Sequence, residues 1–388
     1  MSKKHTSQPP LPADRFALER RRFLSEGTVY GAGSILAGLG LSRYAVAQAQ
    51  TPPAAGTGGA PPSRPPPPPE PAVSQPAPLH SLKGKVAYIT ASSDGIGLGI
   101  ARAASNAGMK VCIGYRNEER LKAALPLFKK KNAGIFPVKH DVTDRDGWAK
   151  VLEQIKGEYG KLHLVVNNAG SKTRAKVSEV SYDEWDNALA VNFTATYNSV
   201  AVCLPHMLEH GEGSHIVVTS SMSGLLPGSN LGVYTATKIG VVGLIEALRI
   251  ELEGTTVGTS AFCPGGVNTD NYIGTGEENP FRKGNPDTAP PNGAPRPKGP
   301  PPGMDPLEAG ERVMNGVIHN DLFIVTHPEY MPGTKQRFDA MLDSAPVEDT
   351  PPPEARVKGE ARTRHTGIYT REIAHRQQKR KSFRTTKV

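Results

Sequence analysis

The stretch Lys85-Val-Ala-Tyr-Ile-Thr-Ala-Ser-Ser-Asp-Gly-Ile-Gly-Leu-Gly99 decides the fold. It begins as an apolar run of strand type, and three glycines follow. A helical pattern comes next, because Ile100, Ala101, Ala104 and Ala107 share one side of a helix. A strand, a glycine turn and a helix place backbone N–H groups where a pyrophosphate can bind. The stretch therefore predicts a nucleotide site at the N-terminus of this helix.

A second motif, Tyr234-Thr-Ala-Thr-Lys238, places a phenol and an ammonium four residues apart. On a helix this spacing puts both side chains on one face. A phenol with a pKa near ~10 is a poor base at neutral pH, but a nearby ammonium lowers that pKa. Tyr234 could then exchange a proton with a substrate oxygen. The same spacing also occurs on ordinary amphipathic helices, so its meaning depends on the other motifs.

Five further motifs follow the glycine turn, most of them at the ends of predicted strands. They are Asp141-Val142, Leu164-Val-Val-Asn-Asn-Ala-Gly170, Ala190-Val-Asn-Phe193, His215-Ile-Val-Val-Thr-Ser-Ser221 and Pro264-Gly-Gly-Val-Asn-Thr269. Ser221 lies 13 residues before Tyr234. In this order and at these spacings, the motifs resemble those of the short-chain dehydrogenase/reductase family, over about Leu82 to Glu329.

The resemblance implies a single Rossmann-like domain with a doubly wound parallel sheet of about seven strands and disordered N- and C-terminal extensions. It also implies an oxidoreductase that moves a hydride between a nicotinamide and a carbonyl/secondary alcohol pair. One position departs from the family's T-G-x-x-x-G-x-G turn, because Ala91 replaces the first glycine. Thr90-Ala-Ser-Ser-Asp-Gly95 is similar to the version in an NADPH-dependent carbonyl reductase and retinol dehydrogenase subgroup, so we expect an intact turn.

The resemblance assigns catalytic roles to Asn192, Ser221, Tyr234 and Lys238. Ser221 would hydrogen-bond the substrate oxygen, and Tyr234 would be the general acid/base. Lys238 would lower the pKa of Tyr234 and bond the nicotinamide ribose. Asn192 would bind a water that connects Lys238 to solvent. Taken singly, the residues also have ordinary explanations: a strand-end serine, a helix-capping asparagine and a solvated lysine.

The resemblance also implies the cofactor contacts. They are Thr90, Ser92, Ser93, Asp94, Gly95, Ile96, Gly97, Arg116, Asp141, Val142, Asn168, Ala169, Gly170, Tyr234, Lys238, Pro264, Gly265, Val267 and Thr269. NADP(H) is expected in preference to NAD(H), because Tyr115 stands where an NAD enzyme places an acid, and Arg116 follows. NAD(H) stays possible, since many NADP-preferring relatives carry a cation where Asp94 stands.

Proline and charge divide the chain into segments. The 36 prolines of the 388 residues crowd into 52–78 and 280–306, so the compact part lies between them. The predicted segments are a signal region (1–49), a Pro-rich linker (50–80), the NAD(P)-binding domain (81–330) and a basic tail (331–388), unfolded from Pro351 onward. Residues 351–388 hold eleven Lys/Arg against three acids, so the globular part is nearly neutral and no nucleic-acid partner is expected.

Residues 270–305 fall where the family places its substrate-covering loop, and they would be either a lid or a disordered insertion. We expect a small-molecule carbonyl or alcohol substrate and a homo-oligomer. Cys112, Cys203 and Cys263 lie far apart and predict buried free thiols. Cys203, His206 and His210 have a spacing like that of metal ligands, but a position near the end of a helix, where histidines favour the dipole, is the better explanation of the two histidines, so no metal is expected.

A second class of function remains open, in which a nucleotide-binding protein without turnover recruits a partner through its loop or basic tail. The complete set of Asn192, Ser221, Tyr234 and Lys238 favours the enzyme, because a scaffold needs none of the four.

Arg20-Arg-Arg-Phe-Leu24, followed by an uncharged stretch from Gly27 to Ser42, resembles a twin-arginine export signal. The stretch is shorter than the ~20 residues of a membrane-spanning helix, and small-residue cleavage patterns follow it. Twin-arginine export carries folded proteins, so we expect a periplasmic protein that meets the membrane only through this signal. The alternative is a disordered arm on a cytoplasmic reductase.

Replacing Arg20 and Arg21 together with Lys should stop export, because the resemblance places the recognition feature on this pair. Fractionation of cells that express each form measures the outcome, with Arg22→Lys as the matched control that keeps the pair. Wild-type protein confined to the cytosol, or unchanged export of the double variant, would leave residues 1–79 as a disordered arm.

Overall fold

A computed structural model describes residues 77–128, 134–269, 303–345, 353–354 and 367–377. The predicted signal region, the linker before residue 77 and the predicted substrate loop before residue 303 lie outside these residues.

Seven parallel strands form one sheet with the order β3-β2-β1-β4-β5-β6-β7. The strands are β1 (Val86–Ile89), β2 (Lys110–Tyr115), β3 (Ile135–Lys139), β4 (Leu164–Asn167), β5 (Ser214–Thr219), β6 (Val257–Cys263) and β7 (Phe323–Val325). The order reverses direction between β1 and β4, which is the crevice where doubly wound sheets bind their ligands. The predicted Rossmann-like fold is confirmed.

Helices connect the strands and flank the sheet. They are α1 (Gly95–Asn106), α2 (Glu118–Ala124), α3 (Arg145–Tyr159), α4 (Tyr182–Leu189), α5 (Ala195–His210), α6 (Gly232–Glu251), α7 (Pro306–His319), α8 (Met331–Asp343) and α9 (Ile368–Gln377). A π-helical turn, Ala190–Thr194, joins α4 to α5. In the ranges given above, no helix combines the length and the apolar character that crossing a membrane requires.

Alternation along the buried strands builds two cores. In β1, Val86 and Tyr88 face one core while Ala87 and Ile89 face the other, because successive side chains of a strand point to opposite faces. Helices α3, α5 and α6 cover the first face, and α1 and α7 cover the second. The three cysteines are free and buried, as predicted.

Helices α1 and α7 approach each other closely at a pair of glycines. A Cβ on Gly310 would lie 2.8 Å from the Cα of Ile100, and one on Gly99 would overlap the Pro306 carbonyl. This contact leaves no room for a methyl group and fixes the helix that begins at the glycine turn.

The folded region extends beyond the predicted bounds of 81 and 330. Leu79 is buried in the core, and α8 donates a hydrogen bond from Arg337 to the Leu225 carbonyl (2.9 Å). The prediction of an unfolded tail is wrong for α9, where Glu372 accepts a bond from the Leu322 N–H (3.0 Å) and Arg376 pairs with buried Asp321 (3.2 Å). These contacts join distant parts of the chain, so weak local periodicity did not reveal the helix.

The ring nitrogens of three histidines accept hydrogen bonds from backbone N–H groups near the amino ends of β1, β4 and β5. His163 accepts from the Val86 N–H, His206 from the Leu162 N–H and His210 from the Glu212 N–H, each at 3.2 Å. His163 is buried directly before the first residue of β4. Among the described residues no group of His, Cys, Asp and Glu is arranged to hold a metal ion. The histidines therefore fasten strand ends together.

Stability should fall as pH drops below about 6.5, the ordinary histidine value. Burial lowers the pKa of His163 and of His206, so the unfolded chain takes up protons at a higher pH than the folded protein does. The contribution of the two histidines to the free energy of unfolding is therefore complete above their pKa in the unfolded chain. It is lost as the pH falls toward their lower pKa in the folded protein.

Urea unfolding from pH 5 to 8 measures this dependence. His206→Gln should flatten the slope by less than about 1.4 kcal/mol per pH unit, the limit for one proton. His80→Gln, at an exposed position, is the control and should leave the slope unchanged. An equal slope in wild type and His206→Gln would contradict the assignment.

Candidate active site

The turn after β1 keeps its shape although glycine is missing from its first position. Ala91 adopts φ = 48° and Gly95 adopts φ = 54°. A left-handed conformation costs an L-residue such as alanine about 1–2 kcal/mol. Ser92 holds the turn, because its hydroxyl donates to the Ile89 carbonyl (2.7 Å) and its N–H donates to the Gly114 carbonyl (2.8 Å).

The glycine positions leave backbone exposed where side chains would collide. A Cβ on Gly97 would lie 2.6 Å from Nδ2 of Asn168 and would overlap the Ala91 carbonyl. A Cβ on Gly95 would lie 3.3 Å from the Thr269 methyl group. The glycine turn and the Pro264–Thr269 segment therefore face each other, and this bare cradle fits a dinucleotide.

Two residues that were predicted to contact the cofactor form hydrogen bonds within the protein. Thr90 Oγ1 accepts from the N–H groups of Asn168 (2.8 Å) and Ala169 (2.9 Å), and Asn168 Nδ2 donates to the Thr90 carbonyl (3.2 Å). These bonds join the ends of β1 and β4. Thr90 and Asn168 thus shape the crevice, and their direct contact with a cofactor stays a prediction.

Asn192 lies in the π-helical turn and is buried. Its Oδ1 accepts from the Ser171 N–H (2.7 Å), and its Nδ2 donates to the Ser171 carbonyl (2.9 Å) and to Thr237 Oγ1 (3.1 Å). A Cβ on Gly170 would lie 3.5 Å from Asn192 Oδ1 and 3.6 Å from Lys238 Nζ, so these groups border one space. The Asn192 side chain acts as a clamp on the segment after β4.

Lys238 is only 3 % exposed. Its Nζ donates to the Thr219 carbonyl (2.8 Å), and its own carbonyl accepts from Ser220 Oγ (2.7 Å). Burial lowers the pKa of Lys238 to about 8. At neutral pH the group therefore remains mostly an ammonium, which is held 5.6 Å from the centroid of the Tyr234 ring.

Burial raises the pKa of Tyr234 above its ordinary value, while a hydrogen bond with Ser221 and the charge of Arg174 act in the opposite direction. Desolvation of the phenol has the largest effect, so the net shift is upward, and the role of Lys238 in lowering this pKa stays a prediction. Tyr234 is therefore protonated at neutral pH. A protonated phenol beside the Ser221 hydroxyl can donate to an oxygen that gains negative charge.

Around Tyr115 each cation has a carboxylate partner. Arg116 pairs with Asp141 (3.2 Å), Lys139 pairs with Glu118 (3.1 Å), and Arg120 pairs with Asp94. Contacts with Thr143 and Arg116 lower the pKa of Asp141 although burial opposes them. Tyr115 occupies the position where an NAD enzyme places an acid, and its hydroxyl donates to Glu118, a carboxylate from the first turn of α2 (3.4 Å).

Residues 85–279, half of the chain, match the model of the short chain dehydrogenase family. The chain belongs to this family. A C alpha-dehydrogenase of Sphingobium sp. is 25% identical over 290 residues, which cover 73% of this chain and 93% of the relative. An uncharacterized oxidoreductase of Listeria innocua is 33% identical over 192 residues, covering 49% and 77%.

Solved structures of short-chain dehydrogenases show the same fold. One from Novosphingobium aromaticivorans superposes with a TM-score of 0.63 at 27% identity and covers 76% of this chain and all of its own. One from Burkholderia phymatum, in complex with NAD, gives a TM-score of 0.59 at 25% identity, covering 70% and 99%. This short-chain dehydrogenase is accordingly an NAD(P)-dependent oxidoreductase with a Rossmann-like domain.

His327 is a residue of this short-chain dehydrogenase that sequence reasoning missed. Its Nδ1 accepts from the Gly265 N–H (2.9 Å), and its Nε2 donates to the Gly266 carbonyl (3.0 Å). The Met222 N–H donates to the Pro264 carbonyl (2.8 Å), which ties the same segment to the Ser221 turn. The available signal was its position two residues after the last strand, at the carboxyl edge of the sheet.

Proposed function

We propose that the protein is an NADP(H)-dependent oxidoreductase that interconverts a carbonyl and a secondary alcohol, with Tyr234 as general acid/base. The observation that carries the proposal is a Tyr234 phenol of raised pKa beside Ser221, on a helix whose buried Lys238 ammonium lies below the ring. Three groups suited to one proton transfer thus meet at the carboxyl edge of the sheet.

The side chains divide the work in the direction of reduction. Bound NADPH supplies the hydride. Ser221 donates a hydrogen bond to the substrate carbonyl oxygen and polarises it, and Tyr234 gives its phenolic proton to the same oxygen as negative charge develops. Lys238, charged below its pKa of about 8, stabilises the phenolate that Tyr234 leaves behind.

Asn192 fixes the position of the segment after β4, because its side chain hydrogen-bonds both the N–H and the carbonyl of Ser171. The glycine cradle, Thr269 and the Pro264–Val267 segment would hold the cofactor. In the reverse direction Tyr234 must take a proton from the alcohol, and a raised pKa makes its phenolate a stronger base once formed.

The preference for NADP(H) is supported by two guanidinium groups near the end of β2. Arg116 is 73% exposed and Arg120 begins from the neighbouring helix α2. A 2′-phosphate carries more charge than the carboxylates of Asp141 and Asp94, so it would compete for these guanidinium groups.

We also propose export to the periplasm, supported by the Arg20-Arg21 pair of the resemblance. Export separates the enzyme from the cytoplasmic NADPH pool. An exported form would therefore have to retain its cofactor or accept reducing equivalents from a partner.

Tyr234→Phe should lower turnover by ~10²–10⁴ while leaving NADPH affinity nearly unchanged, because only the proton donor is lost. Loss of NADPH absorbance with a panel of ketones and aldehydes measures the rate, and fluorescence titration measures affinity. Tyr197→Phe, at an exposed position, is the matched control. A Tyr234→Phe rate above roughly a tenth of wild type would remove the acid/base role.

NADPH should bind more tightly than NADH, and Arg116→Ala should remove most of that difference, since a charged hydrogen bond contributes about 1.5–3 kcal/mol. Isothermal titration with both cofactors gives the Kd values. Lys150→Ala, another exposed cation, should change neither. Equal Kd values in wild type would assign the enzyme to both cofactors, and unchanged NADPH affinity in Arg116→Ala would exclude that residue from the phosphate contact.

A further inference from the structure

The segment that follows β4 carries two cations on one face. Thr173 and Ala175 are buried, whereas Lys172 and Arg174 between and beside them are exposed. In an extended chain successive side chains point to opposite sides. Lys172 and Arg174 therefore project together, away from the core.

Backbone bonds hold this segment against the start of the helix that carries Tyr234. At one end Asn192 clamps Ser171. At the other end the Ala175 carbonyl accepts from the Gly232 N–H (3.1 Å), two residues before Tyr234. The position of the two cations is thus fixed relative to the proposed proton donor.

Neither cation is neutralised by the protein. Within the described ranges, Lys172 and Arg174 have no carboxylate and no hydrogen-bond acceptor as partner, in contrast to Arg116, Arg120 and Lys139. A pair of cations left without counter-charge beside a reaction centre leaves a positive potential that an anionic ligand can satisfy.

The electrostatics of the site place this potential close to the reacting groups. The charge of Arg174 acts on the Tyr234 phenol and lowers its pKa, opposing the effect of burial. Desolvation by surrounding groups, with the charge of Arg174, lowers the pKa of Lys172 even though solvent reaches its side chain.

We propose that the substrate is an oxo acid or its hydroxy-acid partner, whose anionic group binds Lys172 and Arg174 while its carbonyl oxygen faces Ser221 and Tyr234. This inference rests on the proposed function and names its substrate class. The cofactor phosphates are a less suitable occupant, because the end of β2 that carries Arg116 is separated from β4 by β1.

The test uses the full-length protein with NADPH and two ketone pairs that differ only in charge: 4-acetylbenzoate with its methyl ester, and levulinate with its methyl ester. In wild type the acid of at least one pair should have a kcat/KM about tenfold or more above its ester, as expected for 1.4 kcal/mol of binding. The Lys172→Gln/Arg174→Gln double variant should lose this preference through KM, with a fall in kcat/KM for the acids that is about tenfold larger than the fall for the esters.

Lys150→Gln, an exposed cation away from this segment, should keep the wild-type preference. Added salt should weaken the preference in wild type, since it screens solvent-exposed charges. Isothermal titration of the acids and esters into the NADP⁺-loaded protein gives a readout that does not need turnover, and the acids should bind more tightly only in wild type and in the control.

Equal kcat/KM and equal Kd for acids and esters in wild type would overturn the inference, and so would equal losses on both in the double variant. Weaker NADPH binding by the double variant would assign the two cations to the cofactor instead. Turnover of esters without preference for acids would refute the inference while keeping the proposed function. Charge-selective binding without turnover of any ketone would refute the proposed function alone.

Discussion

The burial of the Lys238 ammonium group constrains how the rest of the site can be built. A pKa of about 8 for a lysine corresponds to a destabilisation of the charged form of about 3 kcal/mol relative to solvent. Hydrogen bonds limit this cost, because the Thr219 carbonyl accepts from the Lys238 ammonium and the Ser220 hydroxyl donates to the Lys238 carbonyl. Gly224 leaves room for these bonds because it has no side chain. The end of β5 and the first turns of α6 are therefore locked to each other.

Helix α6 is also hydrogen-bonded to the sheet near its C-terminal end. Arg249, near its last turn, is buried and donates to Thr259 Oγ1 (3.1 Å) and to the Asn320 carbonyl (3.0 Å). The same helix is thus fixed at its start to β5 and near its end to β6 and the loop before β7. A rigid helix fixed at both ends is suited to hold Tyr234 within the narrow limits that proton transfer requires.

The sequence predicted much of this arrangement, because buried parallel strands appear as apolar runs and the motifs stand at their carboxyl ends. It could not show how side chains share their hydrogen bonds. Thr90 and Asn168 look like ligand contacts in a motif, yet their bonds join two strands. The sign of the Tyr234 pKa shift also escaped prediction, because spacing shows which residues are close and not how much water reaches them. Helix α9 was missed because its contacts, such as the core packing of Ile368 and the pairing of Arg376 with Asp321, join residues that are distant in the chain.

Helix α9 contacts the residues just before β7, so the domain acquires these contacts only after a much later part of the chain has been synthesised. Asp321, 2 % exposed, meets the guanidinium of Arg376, and Leu322 meets the carboxylate of Glu372, 50 residues downstream. A nascent or truncated chain that stops before these residues lacks the Arg376 guanidinium beside Asp321 and the Glu372 carboxylate at the Leu322 N–H. The edge of the sheet beside β7 therefore gains its full set of contacts only after the chain has been synthesised through α9.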